Sequence, residues 1–287
     1  MIKRIMVSTG LFAALFLTGT SYGNSPVSTD TIISDLSALK LKGTIKTLKE
    51  TTFEAVEKSG KVERGQFIDK VIFLFNESGN QVEETNYDSA GNLLRTYTFS
   101  YDGKGNLIER NYYIPGVGLA FNQTIIYDDK GNKTEVTSYG INGIMEEKYT
   151  YEYDDKGSVI KQDLRNSGGN WETRYHYKYG DDGKIIESIS FNPDVSLKYK
   201  ETYFYDDKGN KTEVTRFFLA NNLQTKYAYR YDDKNNLTEE GKYDAKGNQK
   251  CKETYQYVYD NTGNWIKKIK FKNDAPFRIS EREIEYY

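Results

Sequence analysis

Tyr127-Asp128-Asp129-Lys130-Gly131-Asn132 decides how this chain is read, because the stretch returns at a fixed interval. It recurs as Tyr101-Asp102-Gly103-Lys104-Gly105-Asn106, as Tyr153 to Ser158, as Tyr205 to Asn210 and as Tyr231 to Asn236. Degenerate copies start at Phe75 and Tyr179, so that every step from Phe75 to Tyr231 is 26 residues, as from Tyr101 to Tyr127. One more copy begins at Tyr259, a step of 28. A period of this size, held without insertion, marks a repeat architecture.

Each copy has the chemistry of a tight turn. The Asp accepts backbone hydrogen bonds, the next two residues continue in the right-handed region, and Gly takes the left-handed conformation of a type I turn closed by a bulge. Between successive copies lies a second, looser turn, as at Tyr87 to Asn92, Tyr139 to Ile144 and Phe191 to Ser196. The intervening runs alternate with period two. Trp171, Thr173, Tyr175, Tyr177 and Tyr179 share one face, and Glu172, Arg174, His176 and Lys178 the other. Two strands and two turns therefore make one unit. The expected fold is all-β: an extended antiparallel β-meander of roughly eighteen strands, a single curved or spiralled sheet built from these 26-residue units.

Working outward, residues 1–23 read as a signal peptide, with Lys3 and Arg4 ahead of a short apolar stretch from Leu11 to Leu17. Residues 24–42 read as a disordered or partly helical leader, and 43–287 as the repeat domain. The apolar stretch is too short to span a bilayer as a helix, so no transmembrane segment is expected in the mature chain. A transmembrane barrel is disfavoured because no strand face is continuously aliphatic. The expected location is exported: periplasm, cell surface or extracellular.

With 40 Lys and Arg against 42 Asp and Glu, the formal charge is −2. A balance spread along every strand argues against a nucleic-acid or membrane-surface partner. The single cysteine, Cys251, cannot form an internal disulfide, and its alternation with Glu253, Tyr255 and Tyr257 reads as a buried structural thiol rather than a reactive one. Burial must instead come from 26 Tyr and 14 Phe. They stand in register: Tyr101, Tyr127, Tyr153, Tyr179, Tyr205 and Tyr231 form one column, and Tyr151, Tyr177, Tyr203 and Tyr229 the next.

The motif Tyr-Asp-x-x-Gly-Asn-Leu, intact from Tyr101 to Leu107, resembles the YD repeat of the Rhs family of bacterial cell-surface and secreted proteins. The resemblance covers about 200 residues of the chain. It implies β-hairpin units whose sheet spirals. It also implies a surface or envelope location, carbohydrate association, or a part in the shell of an Rhs-type toxin system.

Chemistry-bearing constellations are few. His176 is the only histidine and stands among charged neighbours on the outward series. A Ser-His-Asp or Cys-His site would have to use it, and zinc would need more His or Cys than the chain has. The carboxylate pairs Asp128-Asp129, Asp154-Asp155, Asp206-Asp207 and Asp232-Asp233 are explained by turn geometry, and the Lys that follows each opposes a calcium ion. No enzyme activity, metal or cofactor is expected. The expected function is an exported non-catalytic scaffold that binds glycan or another surface protein through its Tyr-rich face. Trp171, Tyr175, Tyr177 and Trp265 are the candidate contacts, and a shell fragment of a toxin system is the alternative.

Overall fold

The computed structural model describes residues 36, 39–219 and 223–287. The signal segment and most of the leader lie outside the described residues. Eighteen antiparallel strands follow one another from β1 (Ile45–Lys58) and β2 (Lys61–Phe75) through β9 (Val159–Asn166) and β10 (Trp171–Tyr179) to β16 (Gln249–Tyr259), β17 (Trp265–Lys272) and β18 (Ala275–Tyr286). Every strand pairs with its neighbours in sequence, and β1 also pairs with β18.

That last pairing corrects the expected fold. The meander is neither open nor spiralled but closes on itself as an 18-stranded barrel. The seam runs from Ile45 opposite Tyr286 to Glu54 opposite Arg278, with Lys46 to Glu285 at 2.9 Å and Lys49 to Glu283 at 2.7 Å across it. Closure removes the two unpaired edges that a long meander would expose to aggregation.

The repeated turns form as their chemistry dictates. In the copy at Tyr127, the Gly131 amide donates to the Asp128 carbonyl at 3.0 Å, while Lys130 and Asn132 donate their amides to Asp128 Oδ1 at 2.9 and 2.8 Å. The Asn132 side-chain amide and these backbone amides hold the Asp128 carboxyl below its usual pKa. Gly131 has φ 84°, and Asn235, standing where the other copies have Gly, shares the left-handed conformation at φ 64°. A Cβ at Gly131 would meet nothing within 4 Å, so its cost is purely conformational. Gly131→Val should therefore destabilise the fold by about 1–2 kcal/mol, measured by urea denaturation.

The strands present two faces. The tyrosine columns lie on the more deeply buried one, which includes Tyr97, Tyr177, Tyr203 and Tyr227, together with Leu48, Phe73 and Glu50. This is the concave inner wall. The outer wall carries Thr and charges paired across strands, such as Glu135 with Lys148 at 2.6 Å and Glu187 with Lys178 at 2.9 Å.

Candidate functional site: the inner wall

At a strand spacing of about 4.8 Å, eighteen strands give a circumference of about 86 Å and, for a round section, a radius of about 14 Å or more once the strands tilt. Eight strands leave just enough room for side chains, whereas sixteen to eighteen leave an aqueous bore. The inner wall is therefore the candidate site.

Its first layer is structural. Tyr127 donates its hydroxyl to the Leu107 carbonyl at 2.9 Å, Tyr153 to Lys133 at 2.6 Å and Tyr179 to Val159 at 2.7 Å. Tyr205 and Tyr231 repeat the bond to Ile185 and Lys211 at 2.8 and 2.9 Å. Each bond reaches back to the residue that follows the preceding repeat's turn, so the hydroxyls tie successive turns into a ring. After the 28-residue step, Tyr257 takes over the bond, to Leu237 at 2.8 Å.

A second layer carries charge. Glu50 on β1 accepts from Arg282 Nε on β18 at 3.0 Å, with Lys268 on β17 3.9 Å away. Trp265 is covered by Arg282, 3.5 Å from the ring centroid, and by Lys268 at 4.5 Å. Burial pulls both cations below their ordinary pKa, with Glu50 opposing the shift. Further round the wall, Lys270 meets Glu253 at 2.8 Å and Arg216 meets Glu201 at 2.7 Å. Glu201 also accepts from the Tyr203 hydroxyl at 2.8 Å. Such a wall suits water and small polar solutes.

The tyrosines give the wall a pH limit. Burial pushes Tyr153, Tyr179 and Tyr231 up to about 12. A phenol whose folded pKa lies above its unfolded value stabilises the fold below about pH 10, and that contribution is lost as pH climbs through 12. Titration at 295 nm should show these rings ionising together with alkaline unfolding. Ionisation near pH 10 with near-UV circular dichroism intact would contradict their burial.

The candidate contacts read from the sequence are scattered along this architecture. Tyr177 is 7% exposed and donates to Gln162 Oε1 at 3.0 Å. Tyr175 stacks on it at 6.4 Å. Trp171, at the start of β10, lies under Arg174 at 4.9 Å, and Trp265 sits on β17 in the Glu50 cluster. Tyr175 and Tyr177 form one patch, and Trp265 is not part of it. Sequence reasoning missed the Glu50–Arg282–Lys268 group, in which Glu50 lies 232 positions from Arg282 and the three share no motif.

The chemistry-bearing groups of the sequence have structural partners. The first carboxylate of each pair is engaged by its own turn, as at Asp128 and Asp206, and His176 packs edge-on against Phe191 at 5.2 Å. Among the described residues, no group of three or more His, Cys, Asp or Glu could hold a metal ion.

No protein-family model and no curated protein matches the chain. Among solved structures, it is similar to a porin-like protein from Bacteroides uniformis, at 12% identity over 84% of this chain and 98% of that one, with a TM-score of 0.45. A porin-like protein from Bacteroides vulgatus aligns over 86% and 99% at 11% identity, with a TM-score of 0.28. The TcdB2-TccC3-Cdc42 structure aligns over 84% of this chain but 17% of its own, at 12% identity and a TM-score of 0.34. Scores this low carry no inference about function.

Three expectations are corrected here. The Rhs resemblance implied a spiralled sheet, and the closed seam between β1 and β18 overturns it, with no family model in its support. The scaffold presenting a Tyr-rich face to glycan or protein fails because that face is the inner wall, its hydroxyls consumed by the ring of turns; the toxin-shell fragment falls with the spiral. The expected lack of a transmembrane segment rested on helix length and on strand faces that are not continuously aliphatic, and closure into a barrel removes the first ground. No helix among the described residues is long and apolar enough to cross a membrane, which says nothing of a barrel that crosses with strands. Residues 1–23, read as a signal peptide, lie outside the described residues, and export and compartment belong to the proposal that follows.

Proposed function

We propose that this chain is an exported, hollow barrel of the cell envelope whose water-filled lumen admits small polar solutes. The observation that carries this reading is the closed ring of eighteen strands around an inner wall of tyrosines and paired charges. Paired charges leave no single-sign field, so passage would be governed by size more than by charge.

One end is partly covered by the chain itself. The Leu36 amide donates to the Gly79 carbonyl in the turn after β2, Lys40 Nζ reaches the Asn235 carbonyl at 2.8 Å, and the Lys42 amide bonds Asn264 Oδ1 at 2.8 Å. Leu36, Leu39 and Leu41 pack on Leu48, Val71, Phe73 and Phe75. The segment thus narrows the end that carries the Asp-Gly turns.

Cys251 tests the reading without any substitution, since it is the only thiol and alternates with Glu253 on the inner wall of β16. In native protein, a small methanethiosulfonate should modify it readily, and a polymer-linked maleimide should not until the barrel unfolds. Protection from both reagents would mean a packed interior and would overturn the proposal. Equal reaction with both would mean there is no enclosed lumen.

A further inference from the structure

The two ends of the barrel differ. The end opposite the leader carries on its outside a girdle of aromatics at the repeat interval, Tyr87, Tyr113, Tyr139, Phe191, Phe217 and Tyr243, interrupted by Arg165 between Tyr139 and Phe191. Their register places them on the outer wall, with Tyr139 opposite Asn122, Phe191 opposite Arg174, Phe217 opposite Lys200 and Tyr243 opposite Lys226. Phe271 continues the girdle after the 28-residue step, opposite Thr254.

Beyond this girdle, the hairpin tips expose aliphatic side chains. Val117 is 52% exposed, Ile141 66%, Ile144 59% and Val195 65%. Val195 is also held at φ 68°, in a position where most other tips have Gly. A β-branched residue resists that conformation, and nothing in the fold repays it because the side chain points into solvent. The tips between Ile114 and Ser196 carry one charged residue, Asp194, which is bonded to Ser196. The opposite rim carries the Asp-Asp-Lys turns.

We propose that the rim formed by the tips at Val117, Ile141, Ile144 and Val195 docks end-on into a phospholipid surface. The tips would enter the acyl boundary and the aromatic girdle would sit at headgroup level. Aromatic rings concentrate at that depth because one side of the ring is apolar and the other wet. Lys70, 3.9 Å from the Tyr87 centroid, and Lys226, 5.5 Å from that of Tyr243, stand beside the girdle where lipid phosphates would lie. A bilayer fits better than a second protein. Neighbouring tips are two strands, or about 10 Å, apart, and Ile144 and Val195 are four strands apart with the polar tip from Asn166 to Asn170 between them, so they make no continuous surface of the kind a stable protein interface buries. The rest of the outer wall explains why only the rim enters. Charged side chains such as Glu135 and Glu187, in register with Thr150 and Thr202 at mid-strand height, oppose hydrocarbon contact.

The inference does not depend on what the lumen admits, so labelling of Cys251 and the experiment below can fail separately. Mature protein is mixed with phosphatidylcholine–phosphatidylglycerol vesicles and floated on a density gradient. The wild type should float, and a variant combining Val117→Ser, Ile141→Ser, Ile144→Ser and Val195→Gly should lose at least tenfold in the floated fraction. All four residues are exposed, and circular dichroism should show both proteins equally folded. Single reporters in brominated lipid give the depth: Ile141→Trp should be quenched, and Thr150→Trp at mid-wall should not. Quenching at position 150 would show that the whole wall enters the bilayer, and would overturn docking by the rim alone. A wild type that stays at the bottom of the gradient would overturn lipid as the partner, as would a dimer in its place that the four-fold variant abolishes.

Discussion

Glu50→Ala should cost about 3–5 kcal/mol of stability, the range for leaving a buried charge without its partner. Glu50 is 1% exposed and holds Arg282, itself 8% exposed, with Lys268 beside them. Removing the carboxylate leaves two buried cations facing each other under Trp265. Because a domain's total stability is of order 5–15 kcal/mol, the variant should melt far below the wild type or fail to fold. Since Glu50 lies on β1 and Arg282 on β18, the loss falls on the seam itself. A double variant, Glu50→Leu with Arg282→Met, should recover much of the stability, because a packed apolar pair can replace a buried ion pair. Guanidinium denaturation of the three proteins checks this, and a single variant as stable as the wild type would contradict the placement of Glu50.

Phe73→Ala should be nearly as damaging, at about 3–5 kcal/mol for an aromatic ring removed from a packed cluster. Phe73 is 3% exposed and belongs to the group in which Leu36, Leu39 and Leu41 meet the wall. Its loss should also release the segment that crosses the end of the barrel. Limited proteolysis should then cut the chain near Lys40 or Lys42 faster than in the wild type, well below the unfolding temperature. Phe204→Ala, at an exposed outer-wall site with 56% exposure, should do neither.

Strands and turns were legible in the sequence because their causes are local. The Tyr-Asp-x-x-Gly-Asn stretch contains its own hydrogen-bond donors and acceptors, so Gly131 and Asn235 take the conformations that their chemistry calls for. The alternation around Tyr175 likewise assigns the faces of Thr173, Tyr175 and Tyr177, whereas a bulge in β10 puts Trp171 opposite Arg165 on the outer wall. Closure was not legible, because it depends on Lys49 meeting Glu283 across 234 positions. A trace of it was available: β1 and β18 lie outside the 26-residue pattern, and charges of opposite sign fall in matching order along them, at Lys46 with Glu285 and Lys49 with Glu283. The tyrosine columns were seen, but their meaning turned on which face is concave. An open sheet offers those rings to a ligand, while a barrel turns them inward and uses their hydroxyls to join the turns. The outer girdle was spelled out within the loose turns at Tyr87, Tyr139 and Phe191, and only the strand register shows that these residues share a wall.

The central claim is closure, and one cross-link across the seam tests it. In a Cys251→Ser background, Lys49→Cys and Glu283→Cys place thiols on directly opposed residues of β1 and β18. Opposed residues of an antiparallel pair have Cβ atoms about 4.5–5.5 Å apart, within reach of a disulfide or a short bis-maleimide. Dilute folded protein should form the intramolecular link nearly to completion, and the product should run as a compact monomer on denaturing gels. An open or spiralled sheet would hold the two strands tens of ångströms apart. Folded protein that forms no such link, or that links only between molecules, would contradict the barrel.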